Sequence, residues 1–235
     1  MKKKFLYDGS IESGYYDKIF NRKKGIQSAW HNIKFNYFKN KIHTKKTHLD
    51  IGCGPGTFLN LLNKKSIGID ISKDQIQYAQ KKFKNSKIKF FKFKKKIPLK
   101  SNSIDTITMI ELIEHLNNKD LKFLIRECRR VLKKNGTIFL STPNYFSLWP
   151  LLEYLVNFFS PLSYEHQHIN KFNKKKLITF FIKNKFKINH FETFIFISPF
   201  LAFFSFRASI FISNYEKLLK IFFPGFLMYL EVKKN

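Results

Sequence analysis

Leu49-Asp50-Ile51-Gly52-Cys53-Gly54-Pro55-Gly56 is the stretch on which the reading of this chain turns. Thr47 to Ile51 predicts a short buried strand, and three alternate glycines follow it. Thr57, Phe58, Leu59, Leu61 and Leu62 then open a helical pattern. Strand, glycine turn and helix make the first βα unit of an open α/β sheet, whose ligands lie over the carboxyl ends of the strands. Glycines at that point let the backbone approach a ligand closely. A dinucleotide turn of the form G-x-G-x-x-G would carry its last glycine where this chain has Thr57. Asp50, just before the turn, is also foreign to that fingerprint.

Working outward, Ser66-Ile67-Gly68-Ile69-Asp70-Ile71 predicts a second buried strand that ends in a carboxylate. Asp70 stands where an acidic side chain can accept the hydroxyls of a ribose. Ser72 reads as the N-cap of a helix from Lys73 to about Asn85, with Ile76, Ala79 and Phe83 on one face. Lys87 to Phe93 is a third strand and Thr106 to Ile110 a fourth. A helix from about Asn118 to Lys134 carries Leu121, Leu124, Ile125, Cys128, Val131 and Leu132 as one apolar stripe. Asn135-Gly136 ends it, and Thr137 to Ser141 is a fifth strand. Phe172-Asn173 opens a helix, Phe186 to Ile197 is a sixth strand, and Gly225 to Lys233 a seventh. Before the sheet, Tyr15 and Tyr16 precede a helical stretch in which Ile26, Trp30, Ile33 and Tyr37 recur at helical steps.

The formal net charge of +28 makes nucleic acid or an anionic membrane candidate partners. Only five of the 44 basic residues are Arg, the side chain suited to bidentate phosphate contact. Lys, Asn, Ile and Phe all have A/T-rich codons, so codon bias accounts for much of the charge without a polyanionic partner. Cys53 and Cys128 form no metal or disulfide spacing, and the basic Met1–Asp8 stretch has no apolar run behind it. A cytoplasmic location is therefore expected. The apolar stretch Phe194–Ile212 leaves three readings open: a buried helical flap, an interfacial surface giving peripheral membrane contact, and a membrane span.

LDIGCGPG resembles motif I of the class I S-adenosylmethionine (SAM)-dependent methyltransferases. "N-S-I-D-T-I-T-M-I-E-L-I-E-H-L" and "R-R-V-L-K-K-N-G-T-I-F-L-S-T-P-N" resemble the family's fourth strand with its acidic turn, and its fifth strand. The resemblance runs over roughly residues 47–145. It implies a Rossmann-like α/β fold: a seven-stranded, mostly parallel sheet with an antiparallel last strand and helices on both faces. A single domain is expected over 1–235, with 1–46 as a helical cap, 47–145 as the SAM-binding core and 146–235 as the acceptor side. The residues that would bind SAM are Asp50, Gly52, Cys53, Gly54, Gly56, Asp70, Ile71, Phe93 and Glu111. Phe93 departs from the family, which has an aspartate there against the adenine amino group; an aromatic ring would stack on the purine instead.

For the chemistry, Glu111-x-x-Glu114-His115 follows the fourth strand, and positions i, i+3 and i+4 share a helical face. With His166 or His168 this set resembles the metal sites of two groups in the superfamily, the ubiquinone-pathway O-methyltransferases and the small-RNA 2′-O-methyltransferases. The resemblance implies Mg²⁺ held by Glu111, Glu114, His115 and His166 or His168. The alternative is metal-free, with His115, Glu114 and His168 as the catalytic candidates and a histidine as base. The leading expectation is O-methylation of a small-molecule, glycan or lipid-linked hydroxyl, and RNA ribose 2′-O-methylation is the alternative.

Overall fold

A computed structural model describes residues 11–42, 47–93, 96–159 and 167–235. Seven strands form one sheet: β1 (His48–Ile51), β2 (Ser66–Asp70), β3 (Ile88–Lys92), β4 (Ile104–Ile110), β5 (Leu132–Pro143), β6 (Phe186–Phe194) and β7 (Leu227–Lys234). Their order is β3-β2-β1-β4-β5-β7-β6. The first five pair in parallel. β7 alone runs antiparallel, wedged between β5 and β6. The expected seven-stranded, mostly parallel sheet with an antiparallel last strand is what the chain forms. Strand order reverses between β1 and β4, and the crevice above their carboxyl ends is where such sheets bind ligands.

Nine helices accompany the sheet in the described residues: α1 (Tyr15–Arg22), α2 (Ile26–Lys41), α3 (Thr57–Leu62), α4 (Lys73–Lys82), α5 (Asn118–Val131), α6 (Trp149–Phe159), α7 (Lys174–Lys183), α8 (Ser198–Leu201) and α9 (Phe206–Ser213). β7 shows how both faces are covered. Met228, Leu230 and Val232 join the core under α5 and α7, while Leu227 and Tyr229 join the core under α2, α3 and α4. Alternate strand residues point to opposite faces, so this two-residue period needs helices on each side. The apolar stripe of α5 is buried along its whole length. Ser72 caps α4 by accepting the Gln75 N–H at 3.3 Å, and Asn173 caps α7 by accepting that of Lys176 at 2.9 Å.

The expected helical stretch with Ile26, Trp30, Ile33 and Tyr37 is α2, and Tyr15 and Tyr16 ahead of it open a further helix of the cap, α1. Asp17 clasps α1 to the sheet-side helices. It accepts the Thr57 hydroxyl at 2.8 Å and the Tyr78 hydroxyl at 2.9 Å, and it pairs with Lys82. The helix read to Lys134 stops at Val131. There the carbonyls of Arg130 and Val131 accept the N–H groups of Asn102 and Ser103, which holds the chain extended. Asn135 takes a left-handed φ of 62° in the bulge before β5 resumes its pairing with β4. The strand read to Ile197 ends at Phe194 because Ile195 adopts φ 58° and turns the chain into α8. The rest of the 194–212 stretch is α8, a turn and α9, and no helix among the described residues is long and apolar enough to cross a membrane.

Candidate functional site

The crevice begins with the glycine turn. Gly52, Gly54 and Gly56 all hold positive φ, of 75°, 49° and 80°. A side chain at Gly56 would run into Phe90 beneath it, whereas a Cβ on Gly54 would meet nothing, so Gly54 faces open space. The turn is closed by its own backbone. Gly52 and Cys53 both donate to the Ile69 carbonyl, at 2.8 and 3.1 Å, and Gly56 donates to Cys53 at 3.0 Å. Gly54 donates to the Asp70 carboxylate at 2.8 Å. Each of these four N–H groups is thus spent inside the protein.

Carboxylates line the turn. Asp50 is buried under it and accepts the Thr108 hydroxyl at 2.5 Å; His48, two residues earlier on β1, lies 3.1 Å from that hydroxyl. Burial pushes Asp50 up to about 7, with the nearby Asp70 adding to the rise and the Thr108 bond opposing it. Asp70 also accepts the Ser72 N–H at 2.8 Å, and burial raises its carboxyl above the ordinary range. Cys53 is buried against the core, Ile71 is exposed beside Asp70, and Phe93 is half-buried with its N–H donating to the Asp70 carbonyl at 2.7 Å. Two desolvated carboxylates beside the turn favour a ligand that carries positive charge there.

Glu111 stands across the crevice at the end of β4, in a left-handed backbone conformation of φ 49°. Its N–H is bound by Ser141 of β5, and its carboxylate pairs with the buried Lys34 of α2. Tyr16 and His31, whose rings pack at 5.2 Å, complete this side from the cap. Burial, then the charge of Glu111, raises the Tyr16 phenol, and burial with the Lys34 charge lowers the His31 imidazole.

Beyond Glu111, the short 3-10 helix Ile113–His115 carries Glu114 and His115 inward. One ligand-capable atom from each of Glu114, His115 and His168 lies within 4.8 Å of the others. His115 Nδ1 is 3.1 Å from the Gln167 carbonyl, which can only accept, so this nitrogen holds the proton and Nε2 is left as the basic nitrogen. His168 Nδ1 lies 2.7 Å from a Glu153 carboxylate oxygen and 3.0 Å from the Tyr145 hydroxyl. Burial acts to raise Glu153, but the His168 and Tyr145 bonds prevail and hold it low, as a carboxylate. Both imidazoles are therefore oriented by a second group, the arrangement that fixes histidines as metal ligands or as bases.

Glu114 is fully buried, and neither carboxyl oxygen has a hydrogen-bond partner; the Thr142 hydroxyl beside it is close enough to act electrostatically but is not in bonding geometry. Burial pushes Glu114 up to about 8, aided by Glu111, and burial pushes His115 down to about 4, aided by His168. An orphaned buried carboxyl beside two oriented imidazoles fits a divalent cation. Two nitrogen donors and one oxygen suit a borderline first-row ion, since Mg²⁺ prefers oxygen ligands.

Of the residues expected to share this centre, Glu114, His115 and His168 are brought together. Glu111 is turned to Lys34 instead, and His166 lies outside the described residues. Sequence reasoning missed Lys34, Tyr145 and Glu153. Two of them carried a signal. Lys34 sits four residues after Trp30 on the apolar face of its helix, and Glu153 is the only charged residue between Phe146 and Phe159.

Residues 49–140 match the family model described as a methyltransferase domain. The chain is 39% identical over 101 residues to the ubiquinone biosynthesis O-methyltransferase of Pelagibacter ubique, covering 41% of this chain and 41% of that protein. It is 32% identical over 121 residues to the protein of that name from Histophilus somni, covering 46% and 50%. The chain spans half or less of the length of these two relatives. Among solved structures, an Archaeoglobus fulgidus SAM-dependent methyltransferase superposes with a TM-score of 0.62 at 22% identity, covering 94% of this chain and 100% of that one.

Proposed function

We propose that this chain, whose residues 49–140 are a methyltransferase domain on the class I SAM-dependent methyltransferase fold, transfers the methyl group of SAM to a hydroxyl of a small-molecule, glycan or lipid-linked acceptor. The observation that carries the cofactor half is the closed glycine turn, with its N–H groups spent and Asp50, Asp70 and Glu111 around it. SAM presents an ammonium and a sulfonium, both cations, and a ribose. A dinucleotide presents a pyrophosphate, which Asp50 and Asp70 beside the turn would repel. In this reading Asp70 receives the ribose hydroxyls on its remaining lone pairs, Ile71 and Phe93 flank the adenine, and the cationic end lies over Gly54 toward Glu111.

The acceptor half is supported by the Glu114–His115–His168 cluster one helical turn beyond Glu111. Transfer breaks the S–CH₃ bond, forms an O–CH₃ bond and releases S-adenosylhomocysteine, and the hydroxyl proton must leave. An imidazole held down to about 4 is a weak base at neutral pH. A divalent cation bound by these three residues would lower the pKa of a coordinated hydroxyl. His115 and His168 would hold it through ring nitrogens, and Glu114 would supply the charge. Relatives 39% and 32% identical over their matched regions are named as O-methyltransferases, which agrees with an oxygen acceptor.

Incubation with SAM bearing a labelled methyl group and a fractionated cell extract tests the reading. Label is expected in the organic-extractable or small aqueous fraction. Label confined to RNA would overturn the acceptor assignment and favour ribose 2′-O-methylation, and label nowhere would remove the support for transfer. The metal is tested without turnover by titrating Co²⁺ and recording its visible d–d bands. Saturation at one ion is expected, with the bands lost in His168→Ala; unchanged spectra in that variant would refute the cluster.

A further inference from the structure

The structure leaves an apolar surface beside this site that no part of the chemistry uses. Fourteen of the twenty large hydrophobic side chains exposed among the described residues fall between 146 and 158 or between 197 and 223. Just before and on α6 they include Phe146, Leu151 and Tyr154; around α8 and α9 they include Phe203, Phe204 and Phe211, with Phe204 at 85% exposure. Scattered apolar side chains are ordinary on a protein surface, but a concentration of this kind marks a contact surface.

The two segments flank one end of the sheet. α6 follows the carboxyl end of β5 and α8 follows that of β6, and both ends pair with the start of β7 at Leu227. Trp149, which opens α6, packs 5.7 Å from Trp30, which in turn packs 6.1 Å from Phe226; Phe226 packs 6.0 Å from Phe200 of α8. Trp149 also lies 6.0 Å from His168. The apolar surface therefore borders the crevice at the carboxyl end of the sheet.

Charge distinguishes among occupants. In a chain with 39 lysines, none falls between Asn144 and Phe159 or between Phe194 and Glu216, an absence that codon bias does not explain. Both acids within them are turned inward. Glu153 is held by His168 and Tyr145, and Glu216 is buried accepting the backbone N–H groups of Phe196 and Ser198. The described cations at the edge are exposed: Arg207 on α9, Lys217 just beyond it, and Lys171 beside Tyr145. Short helices with aromatic and leucine side chains outward, a cationic rim and no outward acid suit an anionic bilayer surface. A second copy of this chain, at net charge +28, would repel this rim.

We propose that the α6 and α8–α9 surface seats the protein on an anionic membrane, with the mouth of the crevice at the lipid headgroups. The seating is independent of the methyl-transfer reading, because it is measured without SAM or turnover. If both hold, the acceptor is a hydroxyl carried by a molecule with a lipid tail.

Co-sedimentation with extruded vesicles tests it, using phosphatidylcholine alone and phosphatidylcholine with phosphatidylglycerol. Binding is expected only to the anionic vesicles. Phe203→Ser/Phe204→Ser keeps every charge and should lower the partition about tenfold or more, because two buried rings are lost from the lipid contact. Arg207→Glu should weaken it and make its salt dependence shallower, because one cationic contact to the headgroups is lost. An unaltered melting temperature confirms that the variants fold. Three results would overturn the proposal: no binding to anionic vesicles, a double-serine variant that binds like the wild type (adhesion by charge alone), or a solution dimer in which these side chains are covered.

Discussion

Glu114 is shut from solvent, and nearby donors do not offset its burial, which gives the protein a pH signature. Without a bound cation its pKa is raised from an ordinary 4.5 to about 8, so the metal-free folded state holds a proton that the unfolded chain has released. The stability this contributes is whole below 4.5 and is lost as pH rises through 8. His115, lowered to about 4, runs the other way: its contribution is whole above 6.5 and is lost as pH falls toward 4. Asp50, raised to about 7, completes its loss near that pH. Between pH 7 and 8 Glu114 alone of these three sets the slope, and the melting temperature should fall by several degrees. Glu114→Gln should flatten that window in a thermal melt series; an undiminished slope would contradict the buried, protonated carboxyl. At the same scale, Asp70→Ala should weaken SAM binding by about 1–3 kcal/mol, because the ribose loses its acceptor and Gly54 loses its partner. Calorimetry showing unchanged affinity would refute that placement.

At the scale of elements, the cap depends on one carboxylate. Asp17 joins α1 to Thr57 of α3 and to Tyr78 and Lys82 of α4. Asp17→Ala should cost about 1–3 kcal/mol and speed amide exchange in α1 before the sheet responds. Equal exchange throughout would show that α1 is held by other contacts. The strands and helices 47–145 were legible because their signals are local: a glycine turn, Ser72 as a cap, and one apolar stripe on α5. Boundaries failed where a distant partner decided them. The stop at Val131 is made by backbone donors from residues 102 and 103, and the end of β6 by the left-handed turn at Ile195. Neither is visible in a window of neighbouring residues.

For the whole molecule, the sheet order and the lone antiparallel strand follow from a recognised succession of βα units, and the crevice follows from the order. The acidic cluster was legible only in part. Glu114 and His115 are neighbours in sequence, but His168 arrives from a loop more than fifty residues on, and its orienting groups, Tyr145 and Glu153, come from the segment around α6. The pairing of Glu111 with Lys34 depends on how the cap folds over the crevice, which no spacing encodes. The charge and the aromatic content, read separately, gave no clear partner. They separate along the chain: lysines are absent from 144–159 and 194–216, where exposed apolar side chains concentrate.

The most direct test of the cofactor assignment is a calorimetric titration of the wild-type chain with SAM, beside one with NAD⁺. Saturable binding of one SAM, with no heat from NAD⁺, is the predicted result. Binding of NAD⁺ without SAM would mean that the turn accepts a pyrophosphate after all, and would contradict the reading of Gly52 to Gly56 on which the rest is built.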